Sequence, residues 1–221
     1  MRTVIFDLDG TLADTSRDLI AAANACFRDL GAGDLLDAAG DAAVAFRGGR
    51  AMLALGLERL AHPNAAAAIE AYYPVLLRAY ARDIDTHTVL YPGAMDAVEA
   101  LRADGYGVGI CTNKPAALAE ALLERLGVRG AFASMIGADT LPVRKPDPEP
   151  LREAARRAGG DPARTLLVGD TVTDRSTARA AGVPCVLVTF GPGGAAVADL
   201  QPEGVIGDYA ELPGEVRRLI G

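Results

Sequence analysis

Apolar residues along the chain fall into two patterns. Residues 3–8, 107–112, 133–138, 165–169 and 184–189 are short runs rich in Val, Ile, Leu and Cys, as buried parallel strands require. After the second, third and fourth of these come segments with helical spacing, at 115–126, 148–157 and 174–181, so strand and helix alternate from about Thr88 onward. Residues 16–82 differ, with helical patterns and no strand. Ser16 can cap a helix carrying Leu19, Ile20, Ala23, Ala25, Phe27 and Leu30, which Gly31 and Gly33 stop. Gly40 and Gly48-Gly49 break the next stretch. Met52, Leu53, Leu57 and Leu60 then recur helically until His62-Pro63, and 65–80 supplies another helix. The first strand has no strand partner in that block, so it is expected to join the later sheet. The prediction is an α/β, Rossmann-like parallel-sheet core built from 1–15 and 83–221, with an all-helical insert at 16–82.

Composition narrows the function. Hydrophobic residues make up 50% of the 221, enough for a sizeable core, while aromatics are 5% with no Trp, so that core must be aliphatic. A net charge of −7 without a basic run speaks against a nucleic-acid partner. Cys26, Cys111 and Cys185 are far apart and form no CxxC pair; they read as buried thiols in a reducing compartment. An aspartate by residue 7 argues against a signal peptide, and the chain has no apolar run of about 18 residues, so a cytoplasmic protein without a membrane partner is expected.

In open parallel sheets the site lies beyond the carboxyl ends of the strands. Those ends carry Asp7 and Asp9, then Thr112-Asn113-Lys114, then Asp170 to Asp174, with Arg144-Lys145-Pro146 before a helix. Carboxylates gathered there repel unless a divalent cation relieves them, and an all-oxygen set suits Mg2+. His62 and His87 belong to no ligand cluster, which disfavours zinc. Asp7 and Asp9, at i and i+2, would face one side if the backbone stays extended; one can be nucleophile or ligand and the other acid or base. Asp-Gly-Thr also fits an Asx-turn. Lys114 and Lys145 are the only lysines among 22 basic residues. Lys145 could neutralise a transferring phosphoryl group, and Lys114 is either a pocket-rim residue or a solvated charge.

Asp7-Leu8-Asp9-Gly10-Thr11, Thr112-Asn113, Lys145-Pro146 and Gly169-Asp170-Thr171-Val172-Thr173-Asp174 together resemble the four ordered motifs of the haloacid-dehalogenase-like hydrolase superfamily. The stretch from Gly137 to Pro150, and Thr189-Phe190-Gly191 with Gly193-Gly194, resemble its phosphoglycolate phosphatase subgroup. The resemblance implies an Mg2+-dependent phosphatase with a helical cap, acting on a small phosphorylated metabolite as a monomer or homodimer. It implies Asp7 as the nucleophile that forms an aspartyl-phosphate, and Asp9 as the acid and base. Thr112, Asn113 and Lys145 would hold the phosphate. The metal would be held by Asp7, the Asp9 carbonyl, Asp170 and, directly or through water, Asp174. Thr171 stands where serine is commoner, and Arg175 where an apolar residue is frequent.

The acid–base aspartate argues against a dehalogenase, and the absence of lysine from 16–82 against a phosphonate hydrolase that uses a cap lysine. The substrate could be 2-phosphoglycolate, a sugar phosphate, a nucleotide or pyrophosphate; a sugar-phosphate mutase and a non-catalytic binding protein are the other readings. Arg47 or Arg50, beside the glycine break, could bind a substrate carboxylate, with Arg17 as a third candidate.

Overall fold

A computed structural model describes all residues, 1–221. The central strand, β1 (Thr3–Phe6), is completely buried: Val4, Ile5 and Phe6 are wholly inaccessible. Such β-branched and aromatic side chains each contribute about 1.5–3 kcal/mol on burial. Next to β1 lie β4 (Gly107–Cys111) on one side and β6 (Thr165–Gly169) on the other, both parallel to it. Adding β5 (Ser134–Ile136), β7 (Cys185–Val188) and β8 (Gly204–Ile206) gives a six-stranded sheet of order β5-β4-β1-β6-β7-β8. All its pairings are parallel.

The chain first builds outward from β1 to β4 and β5, then crosses back to β6 on the other side. That reversal puts a switch point at the ends of β1, β4 and β6, where parallel sheets open a crevice. Phe6 is level with Ile110 and Val168, so the residues that follow these three strands emerge together.

The chain divides into two compact units, Met1–Ala13 with Leu90–Gly221, and Asp14–Val89. The first carries the sheet with helices α5 (Ala94–Ala103), α6 (Ala116–Arg125), α7 (Glu149–Arg157), α8 (Val172–Ala181) and α9 (Leu212–Ile220). The second holds α1 (Ser16–Asp29), α2 (Ala42–Ala45), α3 (Gly49–Arg59) and α4 (Ala65–Arg82). Two-residue strands β2 (Ala13–Asp14) and β3 (Val89–Leu90) pair where the chain passes between them.

Three local expectations change. β1 proper stops at Phe6, because from Leu8 the backbone turns, with the amides of Thr11, Leu12 and Ala13 all donating to the Leu8 carbonyl. Ser16 is the first helical residue and not the cap; its amide and hydroxyl both donate to Asp14 Oδ1, at 3.0 and 2.6 Å. Helices α5 and α9 and strand β8 add to the elements expected from the pattern. All three cysteines are buried and unbridged, as their apolar neighbours suggested. Burial above all pushes the Cys111 thiol up to about 12, so it is inert at neutral pH. No helix is long and apolar enough to cross a membrane.

Candidate active site

Four loops at the switch point carry the site, all in the sheet-bearing unit. Asp7 follows β1 directly, its amide continuing the ladder onto Val168 O. Its Oδ1 accepts the Leu8 N–H at 2.7 Å, and its Oδ2 lies 3.1 Å from Lys145 Nζ. Burial foremost, then the negative charges of Asp174 and Asp9, push its pKa from 3.8 to about 6 against the opposing pull of Lys145.

Lys145 has only 2% of its side chain exposed and bonds Asp174 Oδ1 at 2.6 Å. Burial opposes its charge, but Asp174 and Asp7 outweigh that and hold the ammonium firmly protonated. Asp174 itself is completely buried. It closes a capping box at the start of α8: its Oδ2 accepts the hydroxyl and amide of Thr171 and, at 3.3 Å, the amide of Asp170. One carboxylate thus orders the helix, the Asp170 backbone and Lys145.

Asp170 completes the acidic group. Its Oδ1 accepts the Thr11 hydroxyl at 2.7 Å, whereas its buried Oδ2 has no hydrogen-bond partner. Burial, followed by the charges of Asp174 and Asp7, raises its pKa well above the ordinary carboxylate range. The space around it is tight. A Cβ on Gly10 would fall 2.5 Å from Asp170 Oδ2, and one on Gly191 would fall 2.5 Å from the Gly10 carbonyl. Both glycines are there to let backbone approach this carboxylate, and Gly10 also holds φ +84°. Asp7, Asp170 and Asp174 each offer an oxygen within 4.8 Å of one another. An acidic trio with one orphaned, buried oxygen fits a hard divalent cation.

Thr112, at the end of β4, is 3% exposed, and its Oγ1 accepts the Lys114 N–H at 3.2 Å, so its own proton is directed elsewhere. The Asn113 side-chain amide donates to the Lys145 carbonyl at 3.0 Å and ties the two loops together. Thr11 serves Asp170 and not only its own turn. Behind it, Tyr209 Oη donates to the Thr11 carbonyl at 2.8 Å, and the Tyr209 ring packs on Phe190, which packs on Tyr91. Arg175 is folded onto Glu203 and the Leu200 carbonyl, not presented to solvent.

Asp9 is not part of the acidic trio. Its Oδ1 is held by Lys114 Nζ at 2.7 Å, and the Lys114 side chain is only 3% exposed. The choice left open for Lys114 is resolved by that contact: it is a buried charge of the site. Sequence reasoning had one signal for it, its rarity.

Three arginines of the helical unit were the candidates for binding a substrate carboxylate, and each is placed within that unit. Arg50 makes a double hydrogen bond to Glu70 and stacks its guanidinium 3.8 Å from the centre of the Tyr73 ring. Arg47 is exposed, in the turn before α3. Arg17 lines a groove of about 680 Å3 within the helical unit, together with Asn24, Arg28, Arg59 and His87.

A parallel sheet that gathers the Asp7, Asp170 and Asp174 carboxylates and two buried lysines beyond its strand ends has the architecture of an α/β hydrolase. Residues 1–182 match the family model of the haloacid dehalogenase-like hydrolases, and the chain belongs to that family. Among its relatives is a phosphoglycolate phosphatase of Mesorhizobium japonicum, 39% identical over 220 residues, covering 98% of this chain and 96% of that protein. A phosphoglycolate phosphatase of Rhodospirillum rubrum is 40% identical over 215 residues, covering 96% and 89%. Of solved structures, a predicted phosphoglycolate phosphatase from Haemophilus somnus superposes with a TM-score of 0.84 at 25% identity, covering 97% of both chains.

Proposed function

We propose that the protein hydrolyses 2-phosphoglycolate to glycolate and phosphate through a phosphoryl group carried on Asp7. The observation that carries this reading is the Asp7 carboxylate, buried, touched by Lys145 at 3.1 Å and grouped with the Asp170 and Asp174 carboxylates within 4.8 Å. Relatives of that name matching nearly the full chain support the substrate.

Asp7 attacks phosphorus as the P–O bond to glycolate breaks, and Asp9 gives its proton to the departing oxygen. Water then attacks the same phosphorus while Asp9 takes its proton, breaking the Asp7–P link and releasing phosphate. Lys145 neutralises the meeting of two anions, and the Thr112 hydroxyl donates to a phosphoryl oxygen. Asp7, Asp170 and the Asp9 carbonyl would hold Mg2+, whose positive charge lowers the repulsion between carboxylate and phosphate. Asp174, engaged by Lys145, Thr171 and the Asp170 amide, orients these groups and would join the metal directly or through water. The helical unit serves as the cap of such a hydrolase.

Phosphate release from 2-phosphoglycolate, sugar phosphates, nucleotides and pyrophosphate, with and without Mg2+, tests the reading. Mg2+-dependent preference for 2-phosphoglycolate, lost by about 10³-fold or more in Asp7→Asn, is expected. Preferred turnover of another substrate would overturn the substrate assignment, and full activity in Asp7→Asn would overturn the mechanism.

A further inference from the structure

Lys114 is built into the site more rigidly than a solvated charge needs to be. Its amide donates to Thr112 Oγ1 and its carbonyl accepts the Ala138 N–H at 2.9 Å. Two residues on, the Ala116 amide is tied to Asp139 Oδ1 at 2.7 Å. Gly137 packs so close to Ala116 that a Cβ there would fall 2.5 Å from its backbone. The segment's backbone is therefore anchored on both sides, and burial with the Asp9 contact places Nζ. A buried ammonium is costly to desolvate unless an anion meets it, and in this structure that anion is a carboxylate, Asp9.

We propose that Lys114 selects the substrate: its ammonium binds a carboxylate carried by the substrate next to the phosphoester. The inference rests on the phosphatase reading above and adds the residue that recognises the non-reacting end. Reach supports it. An acid that protonates the ester oxygen sits about 2.7 Å from it. Lys114 Nζ stands 2.7 Å from Asp9 Oδ1. The ammonium therefore lies within about 5–6 Å of the ester oxygen. In a phosphorylated glycolate the carboxylate oxygens are about 3–3.5 Å from that ester oxygen, by ordinary bond lengths. A charge-assisted hydrogen bond of about 2.8 Å spans the remainder. Lys114 thus exchanges or shares one carboxylate, that of Asp9, for another of the same charge and shape, which a neutral hydroxyl cannot replace.

The competing cations are less suited. The Arg50 fork is occupied by Glu70 and Tyr73, while Arg17 and Arg47 are exposed. Lys145 is already engaged by Asp7 and Asp174, which leaves Lys114, holding the Asp9 carboxylate, as the cation suited to a second anion.

The test compares kcat/KM for 2-phosphoglycolate and 2-hydroxyethyl phosphate, a matched ester without the carboxylate, in wild type and Lys114→Met. Expected is a wild-type preference for 2-phosphoglycolate and, in the variant, a loss about 10–100-fold larger on that substrate than on the neutral ester, the excess lying mostly in KM, while the loss shared by both substrates reports the released Asp9. Retained turnover of the neutral ester also reports that the variant is folded. Equal losses on both substrates, or an undiminished preference, overturn the proposal while leaving the phosphatase reading intact. Turnover of neither substrate by the wild type overturns both. Should Lys114→Met fail to fold, Lys114→Arg carries the test: it keeps the preference if charge selects the carboxylate, and parity between the substrates contradicts it.

Discussion

At Asp170, one oxygen is bonded to Thr11 and the other is buried with no protein partner, a state that a bound cation relieves. Mg2+ should therefore raise the thermal midpoint of the wild type and leave that of Asp170→Asn nearly unchanged. An equal shift in both would place the cation elsewhere. Asp7 gives a prediction with a definite sign. Its folded pKa is raised from 3.8 to about 6, so across that window the folded protein keeps a proton that the unfolded chain has lost. Stability of the metal-free wild type then falls relative to Asp7→Asn as pH rises through this range, by up to about 3 kcal/mol. Urea unfolding of the two proteins at several pH values checks it. A difference that is flat with pH, or grows the other way, would mean that Asp7 ionises as readily in the fold as in the unfolded chain.

Helix α8 begins with a cap that is also part of the site, since Thr171 and Asp174 bond reciprocally and Asp174 also holds Lys145. Thr171→Ala should cost about 1 kcal/mol in stability and several-fold in kcat, whereas Thr171→Ser should keep both. An alanine variant with wild-type kcat would uncouple the cap from catalysis. In the helical unit, Gly56 sits inside α3 where a Cβ would meet the Phe27 ring of α1 at 2.1 Å. Helix propensity alone favours alanine there by about 1 kcal/mol, yet overpacking makes Gly56→Ala destabilising by about 1–3 kcal/mol. Chemical denaturation reads the sign directly. Most of the longer elements were legible because buried parallel strands are unbroken apolar runs and their helices carry regular apolar spacing, though α5 and α9 were not read from the pattern. β2, β3 and β8 were not, since two or three residues carry no period, and tertiary pairing alone makes them strands.

For the whole molecule, strand order decides what the sequence could reveal of the site. Each motif follows a strand, so a parallel sheet with its switch point at β1 was enough to bring Asp7, Thr112, Lys145, Asp170 and Asp174 together. The pairings among them were not legible. The partner of Asp9 lies 105 positions away and that of Thr11 lies 159 away, and no local pattern records such contacts. Asn113 shows the same limit, with its amide turned to the Lys145 carbonyl. What the assembled site predicts above all is a covalent phosphoryl-enzyme. The most direct measurement is a rapid acid quench of the Mg2+-loaded enzyme during turnover of phosphoryl-labelled 2-phosphoglycolate, followed by mapping of the labelled peptide. The account predicts label on Asp7 that is lost on chase with unlabelled substrate and absent from Asp7→Asn. Label on another residue, or turnover with no labelled enzyme at any quench time, would contradict it.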